Sequence, residues 1–114
     1  MFYRRKFYVI KEDFVENFNK FFNEINLPNQ LKKGSRLVGR WMLDAKDDNV
    51  EIFAIWEYDS YEDYVSIEST IRNDQEHVAR VKNWYDENGG KEYVHQTFFL
   101  QVKNEILTST VNKN

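Results

Sequence analysis

Two stretches of β-type sequence, RLVGRWML at residues 36–43 and NVEIFAIWEY at residues 49–58, decide the fold of this chain. Both are rich in β-branched and aromatic residues, which favour strands. The segment between them, DAKDD at residues 44–48, has the polar composition of a turn. Together they predict an antiparallel β-hairpin, here the second and third strands of a sheet.

The sequence before the hairpin predicts one strand and one helix. Residues 2–10, FYRRKFYVI, contain neither Gly nor Pro and form the first β-type run. From Asp13 to Ile25 the apolar side chains recur at helical spacing, which predicts a helix that Pro28 ends or bends. Residues 27–33 are expected to form a short irregular or helical passage that Gly34 stops.

The sequence after the hairpin predicts a bent helix and a last strand. Ser60 is a candidate N-cap, and helical spacing continues to the Gly89-Gly90 pair with a pause near Asn73. Residues 92–102, EYVHQTFFLQV, are assigned to the last strand. The order β-α-β-β-α-β indicates an α+β, ferredoxin-like domain with two helices on one face of a four-stranded antiparallel sheet.

Both faces of the predicted sheet are apolar. In the third strand Trp56 points to one face and Phe53 to the other, since neighbouring side chains alternate. In the second strand we expect Leu37 and Trp41 to share a face opposite Met42. Two helices cover only one face, so the other needs a partner, and the commonest partner is a second copy in an isologous dimer.

Length and composition limit the classes of function. The chain has 114 residues, a net charge of −3 and no cysteine. We expect a single domain at 1–103 and a polar C-terminal tail at 104–114. Without cysteine there is no disulfide, thiolate metal site or thiol nucleophile. No zinc motif, phosphate-binding glycine loop or nucleophile elbow occurs, so we expect no metal and no cofactor. No apolar run is long enough to span a membrane, and a cytoplasmic location is expected.

An RNA-recognition module is the alternative with the same element order and a free aromatic sheet face. Phe53, Ala54 and Tyr58 agree with the consensus for its third strand. However, Glu51 stands where a basic residue contacts phosphate, and Ile52 stands where glycine is expected. The acidic net charge also opposes phosphate binding, so we expect no nucleic-acid partner.

Several short motifs resemble the NIPSNAP family, within the dimeric α/β-barrel superfamily. They are LPNQ at 27–30, GSRLVGRW at 34–41, NV at 49–50 and IWEYDS at 55–60, together with Arg5 and Phe7 of the first strand. The resemblance covers about residues 3–78 and implies a ferredoxin-like monomer whose sheet packs against a second copy. The superfamily includes the antibiotic biosynthesis monooxygenases, cofactor-independent enzymes that oxidise aromatic polyketides in a pocket between sheet and helices. NIPSNAP-type members have no settled catalytic assignment.

His77 is the first candidate catalytic residue. After the pause in the second helix the family often has Asp-Pro-x-Trp, whereas this chain has DQEH at 74–77 and so places a histidine at the aromatic position. His77 shares a helix face with Val81 and Trp84, near the expected cavity. An imidazole titrates near neutrality and is suited to removing a phenolic proton. The alternative is a partly buried packing residue.

Arg5 and Tyr58 complete the candidate catalytic set. An inward-facing guanidinium on a strand, from Arg5, Arg36 or Arg40, is suited to clamping a carboxylate or enolate of a small ligand. The alternative for Arg5 is a salt bridge, for example with Glu57, or a position at the dimer seam.

Four aromatic side chains are candidates for binding a flat ligand: Phe7, Trp41, Trp56 and Trp84. Their alternative role is in the hydrophobic core. Two functions are thus open. One is a cofactor-independent monooxygenase for a small aromatic or hydrophobic substrate, and the other is a non-catalytic dimer that binds a small ligand or another protein.

Overall fold

Four strands form one antiparallel sheet in the computed structural model, which describes residues 1–112. They are β1 (Phe2–Lys11), β2 (Arg36–Met42), β3 (Asn49–Tyr58) and β4 (Phe99–Leu107). The sheet order is β2-β3-β1-β4, so the first and third strands are central. This is the order of the split β-α-β unit, and the prediction of a ferredoxin-like α+β fold is confirmed.

Helices fill the two connections between strands. They are α1 (Val15–Phe21), α2 (Leu27–Lys33), α3 (Tyr61–Arg72), α4 (Gln75–Glu87) and α5 (Lys91–Thr97). A 3-10 turn, Glu12–Phe14, precedes α1, and a π-helical turn, Phe22–Asn26, joins α1 to α2. None of the helices within residues 1–112 has the length and apolar character needed to cross a membrane.

The predicted helix signals agree with the structure in most places. Gly34 ends α2 in the left-handed conformation with φ 108°. The Ser60 hydroxyl accepts the amide N–H of Asp63 and caps α3. The pause at Asn73 separates α3 from α4. Pro28 does not end the first helical passage, because it lies in the first turn of α2, where a missing amide proton is tolerated.

The prediction of a strand over residues 92–102 is wrong in its first half. Residues 91–97 form α5, in which the Val94 amide donates to the Gly90 carbonyl and the Phe98 amide donates to the Val94 carbonyl. The helix buries Val94 completely, so core packing outweighs the β propensity of this run. The strand then begins at Phe99 and continues to Leu107, which pairs with Tyr3. Residues 104–107, assigned to the tail, therefore lie in β4.

The face assignment of β2 is also wrong, because the strand contains an irregularity. The register with β3 shifts between Leu37 and Gly39. Leu37 lies opposite Trp56, whereas Trp41 lies opposite Phe53 on the other face. One extra residue in a strand reverses the alternation of all that follow. The same shift places Arg40 on the face covered by the helices.

The helix-covered face of the sheet carries the core in two clusters. One surrounds Ile10 and Ile52 and the other surrounds Trp56 and Tyr58. The second face, here called the open face, is not covered by the helices. It displays alternate residues of the central strands, among them Arg5, Phe7 and Phe53.

Candidate functional site

A cavity of about 290 Å³ lies between the helix-covered face of the sheet and the helices. Its walls include Arg4, Lys6 and Tyr8 of β1, Arg40 of β2, Trp56 of β3, Phe18 of α1, Phe22 and Asn26 of the π-helical turn, Gln30 of α2, Glu68 and Ile71 of α3, and His77 and Val81 of α4. Apolar and aromatic walls with a few polar groups are typical of small-ligand sites.

Arg4 is buried at one end of the cavity, and each of its three guanidinium nitrogens donates a hydrogen bond. Its Nε donates to the Tyr58 hydroxyl at 3.1 Å, its Nη1 to Asn104 Oδ1 at 3.3 Å, and its Nη2 to Glu68 Oε1 at 3.0 Å. The last contact is an ion pair. The charge of Arg4 is therefore balanced within the protein, and Glu68 is engaged by the same contact.

Arg40 is a second cation in the cavity, and it is only partly bonded. Its Nη1 donates to Asn19 Oδ1 at 2.7 Å, and its guanidinium lies 4.2 Å from the ring centroid of Phe22. Its Nη2 is buried and has no hydrogen-bond partner in residues 1–112. Burial lowers the pKa of Arg40 to about 10, so the group still carries its charge at neutral pH.

Lys6 and Tyr8 stand beside these arginines on the same face of β1. Burial, with the nearby charge of Arg4, lowers the pKa of Lys6. Burial raises the pKa of Tyr8 to about 12, which keeps its hydroxyl protonated and able to donate. Across the described residues 1–112, Lys6 forms no ion pair. The cavity thus holds two cations that form no ion pair in that range, Lys6 and Arg40, and the nearest acidic influence on Lys6 is Glu68, which is itself paired with Arg4.

His77 lies in the first turn of α4 and borders the cavity. Its amide donates to Asp74 Oδ1 at 3.1 Å, and Asp74 forms an ion pair of 2.9 Å with Lys33. Burial lowers the pKa of His77, so the imidazole is neutral at neutral pH and can accept a proton. The same side chain lines a groove on the outside of the helices, next to Pro28.

The π-helical turn shapes one wall of the cavity. The Leu27 amide donates to the Phe22 carbonyl, five residues earlier, which widens the helix at this point. Pro28 follows and has no amide proton to offer to the preceding turn. The widened turn contributes Phe22 and Asn26 to the cavity.

Of the seven residues predicted for the site, the structure brings His77 and Trp56 to the cavity. Tyr58 lies behind its wall, fully buried, and reaches the site only through Arg4. Trp84 lies in the core, where its ring stacks on Phe21 at 3.9 Å between centroids.

The other three predicted residues lie on the open face. Arg5 forms an ion pair with Glu105 at 3.0 Å. Its guanidinium also lies 4.7 Å from the ring centroid of Phe7. Trp41 packs against Phe53 at 5.6 Å between centroids and is 47% exposed. These three are therefore separated from His77 and Trp56 by the sheet.

Arg4, Lys6 and Tyr8 were missed as site residues by the sequence analysis. They occupy alternate positions of β1 between the buried Phe2 and Ile10, so they share the helix-covered face. Two cations and a phenol at such positions would be costly in a closed core. This period-two pattern was the available indication of an internal polar cavity.

Several solved structures have a fold similar to that of this chain. An uncharacterized NIPSNAP domain protein from Burkholderia xenovorans superposes with a TM-score of 0.72 at 18% identity, over 100% of this chain and 99% of that one. A NIPSNAP family protein from Agrobacterium tumefaciens gives a TM-score of 0.72 at 17% identity, over 96% and 92% of the two chains. The chain has the NIPSNAP fold. A dimeric ferredoxin-like protein from an uncultured marine organism matches this NIPSNAP fold more distantly, with a TM-score of 0.51 at 16% identity over 98% of both chains.

The sequence comparisons add no activity to the NIPSNAP fold. No protein-family model matches the sequence, and no curated protein matches it. Within residues 1–112 no group of three or more histidine, aspartate or glutamate side chains is arranged to hold a metal ion.

Proposed function

We propose that this protein is a homodimer that binds a small aromatic or otherwise apolar molecule in the cavity between the sheet and the helices. The observation that carries the proposal is the cavity itself, in which Phe22 and Trp56 face polar groups of β1 and β2. Its volume of about 290 Å³ is at the small end of ligand sites, which span roughly 300–1,000 Å³. A single small molecule fits this space better than a nucleotide cofactor.

The open face supports the homodimer part of the proposal. Trp41 is 47% exposed on this face, and Phe53 and Ile55 are half-buried beside it. They form an apolar patch among charged residues such as Arg5 and Lys103, and an exposed apolar patch on a sheet is often an interaction surface. One structural neighbour of this fold is a dimeric ferredoxin-like protein, which favours a second copy as that partner.

Native mass spectrometry of the freshly purified protein tests both parts together. We expect twice the chain mass of 13.9 kDa and, in a fraction of the dimers, the added mass of a retained small molecule. A dimer that stays empty and binds no aromatic probe would overturn the ligand-binding part. A monomer at micromolar concentration would overturn the homodimer.

A matched pair of variants locates the dimer interface. Phe53→Asp places a charge at the centre of the open face and should convert the dimer to a monomer. Val65→Asp adds the same charge on the exposed side of α3 and should leave the dimer intact. Loss of the dimer in both variants, or in neither, would contradict the interface.

Cofactor-independent oxygenation is a second candidate, favoured by the position of His77. A neutral imidazole at the cavity can remove a proton from a phenol or an activated CH₂ group and leave an electron-rich anion. Net reaction of that anion and the proton with O₂ converts the CH₂ group to C=O and releases one water, so dioxygen is the oxidant. Arg40 would stabilise the developing oxyanion.

Oxygen uptake with anthrone as the probe tests this second candidate. We expect uptake above the uncatalysed rate, and its loss in His77→Gln. The control is His95→Gln, which removes the other histidine; His95 lies outside the cavity and contacts Tyr85. Equal rates with and without protein would exclude oxygenation of this probe while leaving ligand binding in place.

A further inference from the structure

We infer that the ligand of the cavity is a carboxylate, whose negative charge is bound by Arg40 and Lys6 while its apolar body lies against Phe22 and Trp56. The inference rests on the proposed function and names the chemical class of its ligand. It depends on the balance of charge in the cavity, the geometry of Arg40 and the lining of the remaining walls.

The charge balance of the cavity is positive. Three cations line it, Arg4, Lys6 and Arg40, against one carboxylate, Glu68. Glu68 is held by Arg4 at 3.0 Å. Neither Lys6 nor Arg40 has a carboxylate within 4.0 Å anywhere in residues 1–112. Charges in such an enclosed place are normally paired, so a bound anion would complete the site.

Arg40 is oriented for an anion by the groups around it. Asn19 holds Nη1 at 2.7 Å, and the ring of Phe22 supports the plane of the guanidinium at 4.2 Å. The Nη2 group is left buried and without a partner in the described part of the chain. A planar guanidinium with a free N–H group is well matched to a carboxylate oxygen.

Tyr8 and Lys6 supply further donors on the same face of the sheet, where Lys6 and Arg40 lie on either side of Ala54. The Tyr8 hydroxyl forms no hydrogen bond with any residue from 1 to 112 and lines the cavity. Its high pKa keeps the proton in place for donation. The remaining walls are apolar, including Ile52, Trp56 and Val81. A carboxylate on an aromatic or aliphatic body matches both halves of this lining.

Isothermal titration calorimetry with 2-naphthoate and 2-naphthol tests the inference on the unmodified protein. The two probes share the aromatic body and differ in charge. We expect 2-naphthoate to bind with a Kd at least about tenfold lower, because each hydrogen bond to a charged group is worth about that factor. A third probe, 2-naphthyl phosphate, distinguishes a carboxylate site from a phosphate site and is expected to bind more weakly than 2-naphthoate.

Charge-removing variants identify the residues responsible. Arg40→Gln and Lys6→Met should each raise the Kd of 2-naphthoate by about tenfold or more while leaving the Kd of 2-naphthol nearly unchanged. Arg40→Lys keeps the charge and should give an intermediate value. The controls, Arg72→Gln and Lys82→Met, remove the same charges from exposed positions of α3 and α4 and should not change binding.

The outcomes separate this inference from the proposed function. Equal binding of 2-naphthoate and 2-naphthol would overturn the carboxylate while leaving an apolar ligand site. Tighter binding of the phosphate would also overturn it. If no probe binds and the purified dimer carries no added mass, the proposed function fails together with the inference. Because the probe comparison uses the unmodified chain, a variant that does not fold leaves the decision unaffected.

Discussion

The Nε of Arg4 donates a 3.1 Å hydrogen bond to the hydroxyl of Tyr58, a residue 54 positions away in the chain. Both side chains are buried, and Arg4 also binds Glu68 of α3. The contact therefore ties β1, β3 and α3 together behind one wall of the cavity. Tyr58 is a candidate catalytic residue on sequence grounds, but this contact gives it a role in stability, which the free energy of unfolding measures.

Tyr58→Phe should destabilise the protein by about 1–3 kcal/mol, because it leaves one donor of a buried guanidinium without a partner. Urea unfolding followed by tryptophan fluorescence gives the free energy of unfolding. Tyr61→Phe is the matched control, since Tyr61 is 55% exposed. A loss in Tyr58→Phe no larger than that of the control would show that the hydrogen bond contributes nothing to stability.

Trp84→Phe should lower stability without altering ligand binding. The indole stacks on Phe21 and its Nε1 donates to Asn17 Oδ1 at 2.9 Å, so the change removes a hydrogen bond and core packing. We expect a loss of about 1–3 kcal/mol and an unchanged Kd for 2-naphthoate. Trp56→Phe, in the cavity wall, is the comparison and should change the Kd. A higher Kd for 2-naphthoate in Trp84→Phe would indicate that Trp84 contributes to the binding site.

Asp74 should make stability depend on pH at the acid end of the range. The hydrogen bonds from Lys33 and from the His77 amide lower the pKa of Asp74 to about 2 from its usual value of 3.8. Its contribution is therefore present above pH 3.8 and is lost as the pH falls from there towards 2. Thermal melts between pH 2 and 5 should show a steeper fall in Tm for the natural chain than for Asp74→Asn. Parallel curves would contradict the ion pair.

His77 should titrate below the ordinary histidine range. Burial lowers its pKa in the folded state below 6.5, so the unfolded chain takes up the proton first and stability decreases as the pH falls below 6.5. Proton NMR of the imidazole should give a midpoint under 6.5. His77→Gln should flatten the fall in Tm between pH 7 and 5. A midpoint above 6.5 would indicate an exposed imidazole or an acidic neighbour.

Strong periodic patterns predicted the backbone well. The alternation in β3 placed Trp56 and Phe53 on opposite faces, and the structure agrees. Gly34 ends α2 because the left-handed conformation suits a residue without a side chain. The hairpin and the break between α3 and α4 are likewise local features. The residues of one short segment are enough to predict each of these features.

The cavity could be predicted only in part. His77 and Trp56 were expected in it and line it. The sequence offers Arg5, Arg36 and Arg40 as possible clamps for a carboxylate, and Arg5 is the one placed in the candidate catalytic set. Arg5 lies on the open face, and Arg36 binds Glu57 at 2.9 Å. Only the assembled sheet and helices show which guanidinium is enclosed.

The sequence by itself determined the order of the four strands and the apolar residues on both faces of β3, because these depend on propensities and periods within short segments. The tertiary structure decided the rest. The register shift between Leu37 and Gly39 sends Arg40 to the cavity and Trp41 to the open face, and the glycine within the strand is its only local mark. Residues 91–97 are helical because Val94 fills the core, a contact made by residues distant in sequence. A cavity lined by eight such segments depends on packing that a single segment does not encode.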